Sequence, residues 1–194
     1  IFPQNTGTFP AEPYQVIPVR IISGIHKGRH IPVPSSFNAR PTTDFAREGL
    51  FNILSNTWEF EQMAVLDLFA GTGSIGFEFA SRGAGRVDMV ELELKITRFL
   101  QRTADSLGTG DIRVIRSDAM AFVTHCSSFY DIIFADPPYD LEILPEIPER
   151  VLNANILTEE GWFILEHGKN HSFNSHPRFQ DQRKYGSVHF SIFA

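Results

Sequence analysis

From Met63 to His167, short runs of β-branched and aliphatic residues alternate with amphipathic helical stretches, and this alternation constrains the fold more than any other feature. "MAVLDLF" (63–69), "RVDMVEL" (86–92), "IRVIRSD" (112–118), "YDIIFAD" (130–136) and "GWFILEH" (161–167) read as strands. Between them lie helices ending near Ser81 and spanning "LELKITRFLQRTADSLG" (92–108), "AMAFVTHC" (119–126) and "EILPEIPERVLNANIL" (142–157), the last with a kink expected at Pro148. Strands separated by helices cannot pair as hairpins, so they build a mostly parallel, Rossmann-like α/β sheet. The tail "RFQDQRKYGSVHFSIFA" reads as a hairpin turning at Tyr185-Gly186, which ends the sheet with antiparallel strands.

The region before Met63 differs in character. Residues 1–18 hold four prolines and no periodicity, and read as a flexible leader. "VRIISGIHKGRHIPVP" (19–34) suggests a hairpin or small sheet around Lys27-Gly28. "RPTTDFAREGLFNILSN" (40–56) suggests a helix capped by Thr43 or Asp44, with Phe45, Leu50, Phe51 and Leu54 at helical spacing. The expected organisation is therefore a leader (1–18), a hairpin and helix extension (19–59) and an α/β domain (60–194).

Between the first parallel strand and its helix stands "DLFAGTGSIG", a G-x-G-x-x-G at Gly71, Gly73 and Gly76 with Glu91 twenty residues after Gly71. Taken literally this is a dinucleotide fingerprint, and an NAD-dependent dehydrogenase is one reading. Its mechanical content is broader. Glycines allow close backbone approach, and an acid ending the second strand can accept both hydroxyls of a ribose. Asp67, four residues before Gly71, would oppose a pyrophosphate but suits an α-ammonium group, which S-adenosylmethionine carries. Asp118 closes the third strand, where it can accept from an adenine amine while the Ala119 N–H donates to a ring nitrogen. It is also a natural N-cap for the helix that follows.

"DPPY" (136–139) ends the fourth strand with a carboxylate and an elbow that cannot continue a ladder. An exocyclic amine on a nucleobase is a poor nucleophile because its lone pair is delocalised into the ring. Asp136 and the carbonyl of Pro137 could accept its two N–H bonds and favour a more tetrahedral, more nucleophilic nitrogen. Pro138 stiffens the elbow, and Tyr139 would stack on the flipped base.

Together "RIISGIHKGRHIPVP", "ARPTTDFAREGLFNIL", "DLFAGTGSIGFEFASRGA" and "DPPY" resemble the RsmD-type methyltransferases, over roughly residues 20–194. DPPY is shared with DNA adenine and protein glutamine methyltransferases, so the N-terminal string is the family-specific part. The resemblance implies a class I S-adenosylmethionine-dependent fold and methyl transfer to a guanine N2 of small-subunit ribosomal RNA. It places cofactor roles on Asp67, Gly71, Gly73, Glu91 and Asp118, and the amine-holding role on Asp136 through Tyr139. It also suggests an RNA surface including Arg20, Lys27, Arg29, Arg40, Thr43 and Arg47. The expected partner is ribosomal RNA within a small subunit or assembly intermediate, and the expected state is a cytoplasmic monomer.

The charge balance bears on that surface. The net charge is −6, yet residues 20–47 hold five basic side chains and one acid, a local surplus of +4 that leaves −10 for the rest. Phosphate contacts depend on such local clusters and not on the global sum. No apolar run approaches the roughly 18 residues of a membrane span. The single cysteine, Cys126, has no intramolecular disulfide partner and fits a reducing cytosol. His167, His171 and His176 are irregularly spaced, and no metal site is expected. A DNA adenine-N6 enzyme, a protein glutamine enzyme and a non-catalytic RNA-binding module remain as rivals.

Overall fold

The computed structural model describes residues 16–34, 37, 42–108 and 111–194; the expected leader falls almost entirely outside them, as does Arg40. In chain order the strands are β1 Val16–Arg20, β2 His30–Pro34, β3 Ala64–Leu68, β4 Arg86–Glu91, β5 Asp111–Arg116, β6 Tyr130–Ala135, β7 Leu157–His167, β8 Phe179–Tyr185 and β9 Val188–Phe193. The helices are α1 Asp44–Thr57, α2 Gly76–Ser81, α3 Leu94–Leu107, α4 Ala119–His125 and α5 Ile147–Asn153.

β3 to β9 form one sheet in the order β5-β4-β3-β6-β7-β9-β8, and β1 pairs antiparallel with β2. The pairs β3–β4, β4–β5, β3–β6 and β6–β7 are parallel, while β9 runs antiparallel to both β7 and β8. This is the Rossmann-like sheet with an antiparallel end that the alternation predicts. From β3 the chain winds to β4 and β5 on one side, then returns to place β6 on the other. Between the carboxyl ends of β3 and β6 such a reversal leaves a crevice.

Two apolar layers hold the sheet. On one face α1, α2, α3 and the β1–β2 hairpin pack over Val65, Met89, Ile132 and Phe134. On the other, α4 and α5 cover Leu66, Leu68, Val90 and Ile133. The central strands are buried on both sides, as parallel strands under two helical layers must be. Val19, Ile31, Leu50 and Phe51 belong to the same core as Val65, so burial crosses the boundary expected near residue 60.

A buried carboxylate ties the hairpin down. Glu78 of α2 accepts the Ile22 and Ser23 amides at 2.7 and 3.0 Å and pairs with Arg82 at 2.7 Å.

Three local expectations need correction. β3 stops at Leu68 and not at Phe69, because Phe69 adopts a left-handed φ of 62° that leaves the ladder. Pro148 does not kink a long helix: it sits in the first turn of α5, where its missing N–H costs nothing, after a separate 3₁₀ turn at Leu144–Glu146. Phe45 does not join the core face of α1 but is 68% exposed, edge-on to Tyr185.

Candidate active site

A cleft of about 1030 Å³ opens at the crevice between β3 and β6. Its lining includes Asp67, Gly71, Glu91, Asp118, Ala119 and the elbow Asp136–Tyr139, so the structure brings these expected residues to one place, whereas Gly73, expected with them, is not part of the lining. Thr42, Thr43, Glu166, Ser187 and Val188 complete the wall on the β7–β9 side.

The glycine loop is built from internal bonds. The Gly71 amide donates to Glu91 Oε2 at 3.0 Å, the Gly73 amide to the Ala70 carbonyl at 2.7 Å, and the Gly76 amide to Asp67 Oδ2 at 3.0 Å. Amides that a pyrophosphate would use are thus spent, and two carboxylates stand where it would lie. The carboxylate acceptors that remain suit a cationic, hydroxyl-bearing ligand instead. Gly71 and Gly73 both have positive φ, 51° and 74°. A Cβ on Gly71 would meet only the Phe69 carbonyl, at 3.7 Å, so the protein leaves that space open. On Gly73 it would strike Phe77 and Leu100, which makes that glycine a packing requirement.

Asp67 is buried, and its carboxyl is pushed up to about 7 by desolvation, with the Glu91 charge adding to the effect. Glu91 also accepts the Glu93 amide at 2.8 Å, which fixes the strand end. Asp118 caps α4 by accepting the Ala121 amide at 2.8 Å, so the capping role is real and coexists with its place on the cleft wall.

At the elbow, Pro138 and Pro137 differ. The Pro138 carbonyl accepts the Leu141 amide at 2.9 Å, whereas the Pro137 carbonyl has no hydrogen-bond partner among the described residues. An acceptor is therefore left beside the Asp136 carboxyl. Burial holds Asp136 well above the usual carboxylate range, and the charges of Glu166 and Asp67 push it further. Tyr139 is 43% exposed, but its hydroxyl donates to Glu166 Oε1 at 3.0 Å. One edge of its ring rests on Gly168, where even a Cβ would come within 3.1 Å.

Glu166 is buried at the end of β7, its own proton affinity raised by desolvation, and its Oε2 accepts the Thr42 hydroxyl at 2.7 Å. Next to it His167 holds the strand end. Its Nδ1–H donates to the Gly168 carbonyl at 2.8 Å, so Nε2 accepts from Ser191 Oγ at 2.8 Å, and burial keeps the ring neutral. Among the described residues no group of three or more His, Cys, Asp or Glu side chains could hold a metal ion.

Residues 19–194 match the family model described as Conserved hypothetical protein 95. Over 148 residues the chain is 38% identical to Ribosomal RNA small subunit methyltransferase D of Escherichia coli strain K12, spanning 76% of this chain and 71% of that protein. The chain belongs to the RsmD family. A solved structure described as the putative methyltransferase yhhF from Escherichia coli superposes with a TM-score of 0.80 at 30% identity, over 91% of this chain and 97% of that one. The Thermus thermophilus 16S rRNA N2 G1207 methyltransferase RsmC, solved with AdoMet and guanosine, shares the fold at a TM-score of 0.69 and 20% identity, over 92% of this chain and 50% of that one. The RsmD-family chain therefore has the class I methyltransferase fold that its sequence implied.

Within this RsmD-family chain the N-terminal basic residues divide. Lys27 and Arg29 are exposed on the hairpin loop; Arg20, also exposed, pairs with Asp44 and Glu48 at 3.2 and 3.4 Å. Thr43 caps α1 by accepting the Ala46 amide at 3.2 Å and lines the cleft rim. Arg47 is a correction. It is 1% exposed, donates to the Ser74 and Arg20 carbonyls at 3.2 and 2.7 Å and pairs with Asp44, so it braces the glycine loop and is closed to a phosphate. Sequence reading missed Glu78 and Glu166. An acid inside the helical run "GFEFAS" and one closing the apolar run "WFILEH" were the available signals.

Proposed function

We propose that this chain transfers a methyl group from S-adenosylmethionine to the exocyclic N2 amine of a guanine in small-subunit ribosomal RNA, acting in the cytoplasm on a subunit or an assembly intermediate. The observation that carries this reading is the pair of acceptors at the elbow, the Asp136 carboxyl and the Pro137 carbonyl, which has no partner among the described residues, beside an aromatic ring held at its hydroxyl. Membership of the RsmD family supports the ribosomal RNA substrate.

When bound, S-adenosylmethionine supplies a methyl group on a positively charged sulfur that leaves as a neutral thioether. Asp67 would hold the ammonium end, Glu91 the ribose hydroxyls, and Asp118 with the Ala119 amide the adenine edge. The lining of the cleft fits such a ligand in order from the elbow to β4 and β5. Tyr139 receives the flipped base on its free face, and Glu166 fixes the ring's angle through the hydroxyl. Asp136 and Pro137 accept the two N–H bonds and keep the nitrogen lone pair off the guanine ring. A carboxyl with raised proton affinity is also a competent acceptor for the proton released once the N–C bond has formed, and Asp136 takes it in this scheme.

The decisive experiment is labelled methyl transfer to small ribosomal subunits lacking guanine N2 methylation, with the modified base mapped. Label on a guanine N2 that falls at least a hundredfold in Asp136→Ala is expected. Tight cofactor binding without label on any subunit guanine would overturn the RNA assignment.

A further inference from the structure

We propose that the outer face of α3 carries a phosphate-binding track, made of Lys95, Arg98 and Arg102 and extended by Arg29, along which the RNA backbone is led to the mouth of the cleft; this rests on the RNA reading above. At 3.6 residues per turn, positions 95, 98, 102 and 106 fall on one stripe of a helix, opposite the buried Ile96, Leu100, Thr103, Ala104 and Leu107. Lys95, Arg98 and Arg102 are exposed, and none has a side-chain hydrogen bond or ion pair among the described residues. Arg29 reaches over from the hairpin loop and donates to the Ser106 carbonyl and Oγ at 3.1 and 3.2 Å, so a fourth cation caps the row. The far end is also placed. Leu92, Glu93 and Ile96, which flank Lys95, line the cleft.

Folding energetics disfavour this arrangement. The first turn of α3 contains Lys95 and no acid, so apart from Glu93 at the N-cap a positive charge stands at the positive end of the helix dipole. Arg98 and Arg102 stand at i and i+4, where like charges repel. Solubility does not call for it either, because the chain is acidic overall at −6. The neighbouring acids do not take up these cations, since Glu93 stands at the N-cap and Asp105 accepts from Gln101, and a row of cations without ion pairs among the described residues suits a polyanion. The row spans roughly 10 Å of helix from residue 95 to residue 102 and lies on an open surface. It therefore fits successive phosphates of one backbone better than a single phosphate group.

The test is a triple variant, Lys95→Ala, Arg98→Ala and Arg102→Ala, since alanine preserves the helix. Binding to small ribosomal subunits lacking guanine N2 methylation is measured between about 50 and 300 mM salt. S-adenosylhomocysteine affinity is measured alongside, to confirm an intact cofactor cleft. The expected result is unchanged S-adenosylhomocysteine binding, at least about tenfold weaker subunit binding at physiological salt, and a log–log salt slope shallower by about 2 to 3. In turnover, KM for the subunit rises while kcat holds. An unchanged slope and affinity overturn the track, whatever the methylation assay shows. Conversely, a slope that falls as expected in a protein that places no label on guanine keeps the track and discards the guanine assignment.

Discussion

Tyr139 has its two ends in different surroundings: the ring faces the cleft, and the hydroxyl is tied to a buried carboxylate. Removing each end should give a different deficit. Tyr139→Ala loses the stacking surface and is expected to cut kcat/KM for RNA by roughly five- to 150-fold, from a stacking term of about 1 to 3 kcal/mol. Tyr139→Phe keeps the ring and loses one hydrogen bond, a change of about 1 kcal/mol or fivefold. Steady-state kinetics on subunits separates them, and equal losses would remove the stacking role. In the proposed reaction Glu166 would act through Tyr139 and Asp136, as a positioning residue. Its charge helps to raise Asp136, so Glu166→Gln is expected to move the acid limb of the kcat profile to lower pH. A purely structural glutamate would leave that limb in place.

In the proposed cofactor role, Asp67 would give binding its own pH dependence. The folded protein keeps this proton up to about pH 7, whereas an unfolded aspartate releases it near 3.8. Stability from this group is therefore full at low pH and declines as pH rises from about 4 through 7. An ammonium group binds the ionised form. Affinity for S-adenosylhomocysteine should accordingly rise towards pH 7 and level off above it, with Asp67→Asn flat across the range. Calorimetric titration from pH 5.5 to 8, values chosen to bracket about 7, decides it; a flat wild-type profile would refute the Asp67 role.

At the scale of elements, α2 is six residues long and cannot be stable by propensity alone, yet it anchors the hairpin through Glu78. Glu78→Ala leaves Arg82 without its partner and two amides without an acceptor. A loss of about 3 to 5 kcal/mol is expected in denaturant unfolding, because a buried pair is being broken from one side. A loss under about 1 kcal/mol would mean that water replaces the carboxylate.

The element scale is also where sequence reading succeeded and failed. Strands β3, β4 and β6 were legible because burial on both faces leaves largely apolar runs, edge strand β5 because Ile112, Val114 and Ile115 stand among charged residues in a β-branched run, and the β8–β9 turn because Tyr185-Gly186 interrupts alternation. The departures at Phe69 and Pro148 are backbone matters: φ of 62° at a phenylalanine is dictated by the loop it enters and not by its side chain. That Asp67, Glu91, Asp118 and Asp136 share one cleft was legible because each lies at or just beyond the carboxyl end of a parallel strand. Glu166 was not, since nothing in "WFILEH" says that the acid meets Tyr139 and Thr42, which are 27 and 124 residues away in sequence. Arg47 was misjudged for the converse reason. A basic residue in a basic segment reads as surface until burial shows otherwise.

At the scale of the whole molecule, Arg47 grips three things at once: the glycine loop through Ser74, β1 through Arg20, and the start of α1 through Asp44. A single guanidinium thus bars the cofactor loop rigidly to the strand that leads into the basic hairpin. If the basic hairpin meets RNA as proposed, Arg47 and the Glu78 anchor both join that surface to the cofactor loop, so a change at either joint should be felt at both surfaces. Whatever factor RNA contributes to cofactor affinity through these joints, the cofactor returns in equal measure to RNA, and loosening either would weaken the coupling while leaving each surface chemically intact.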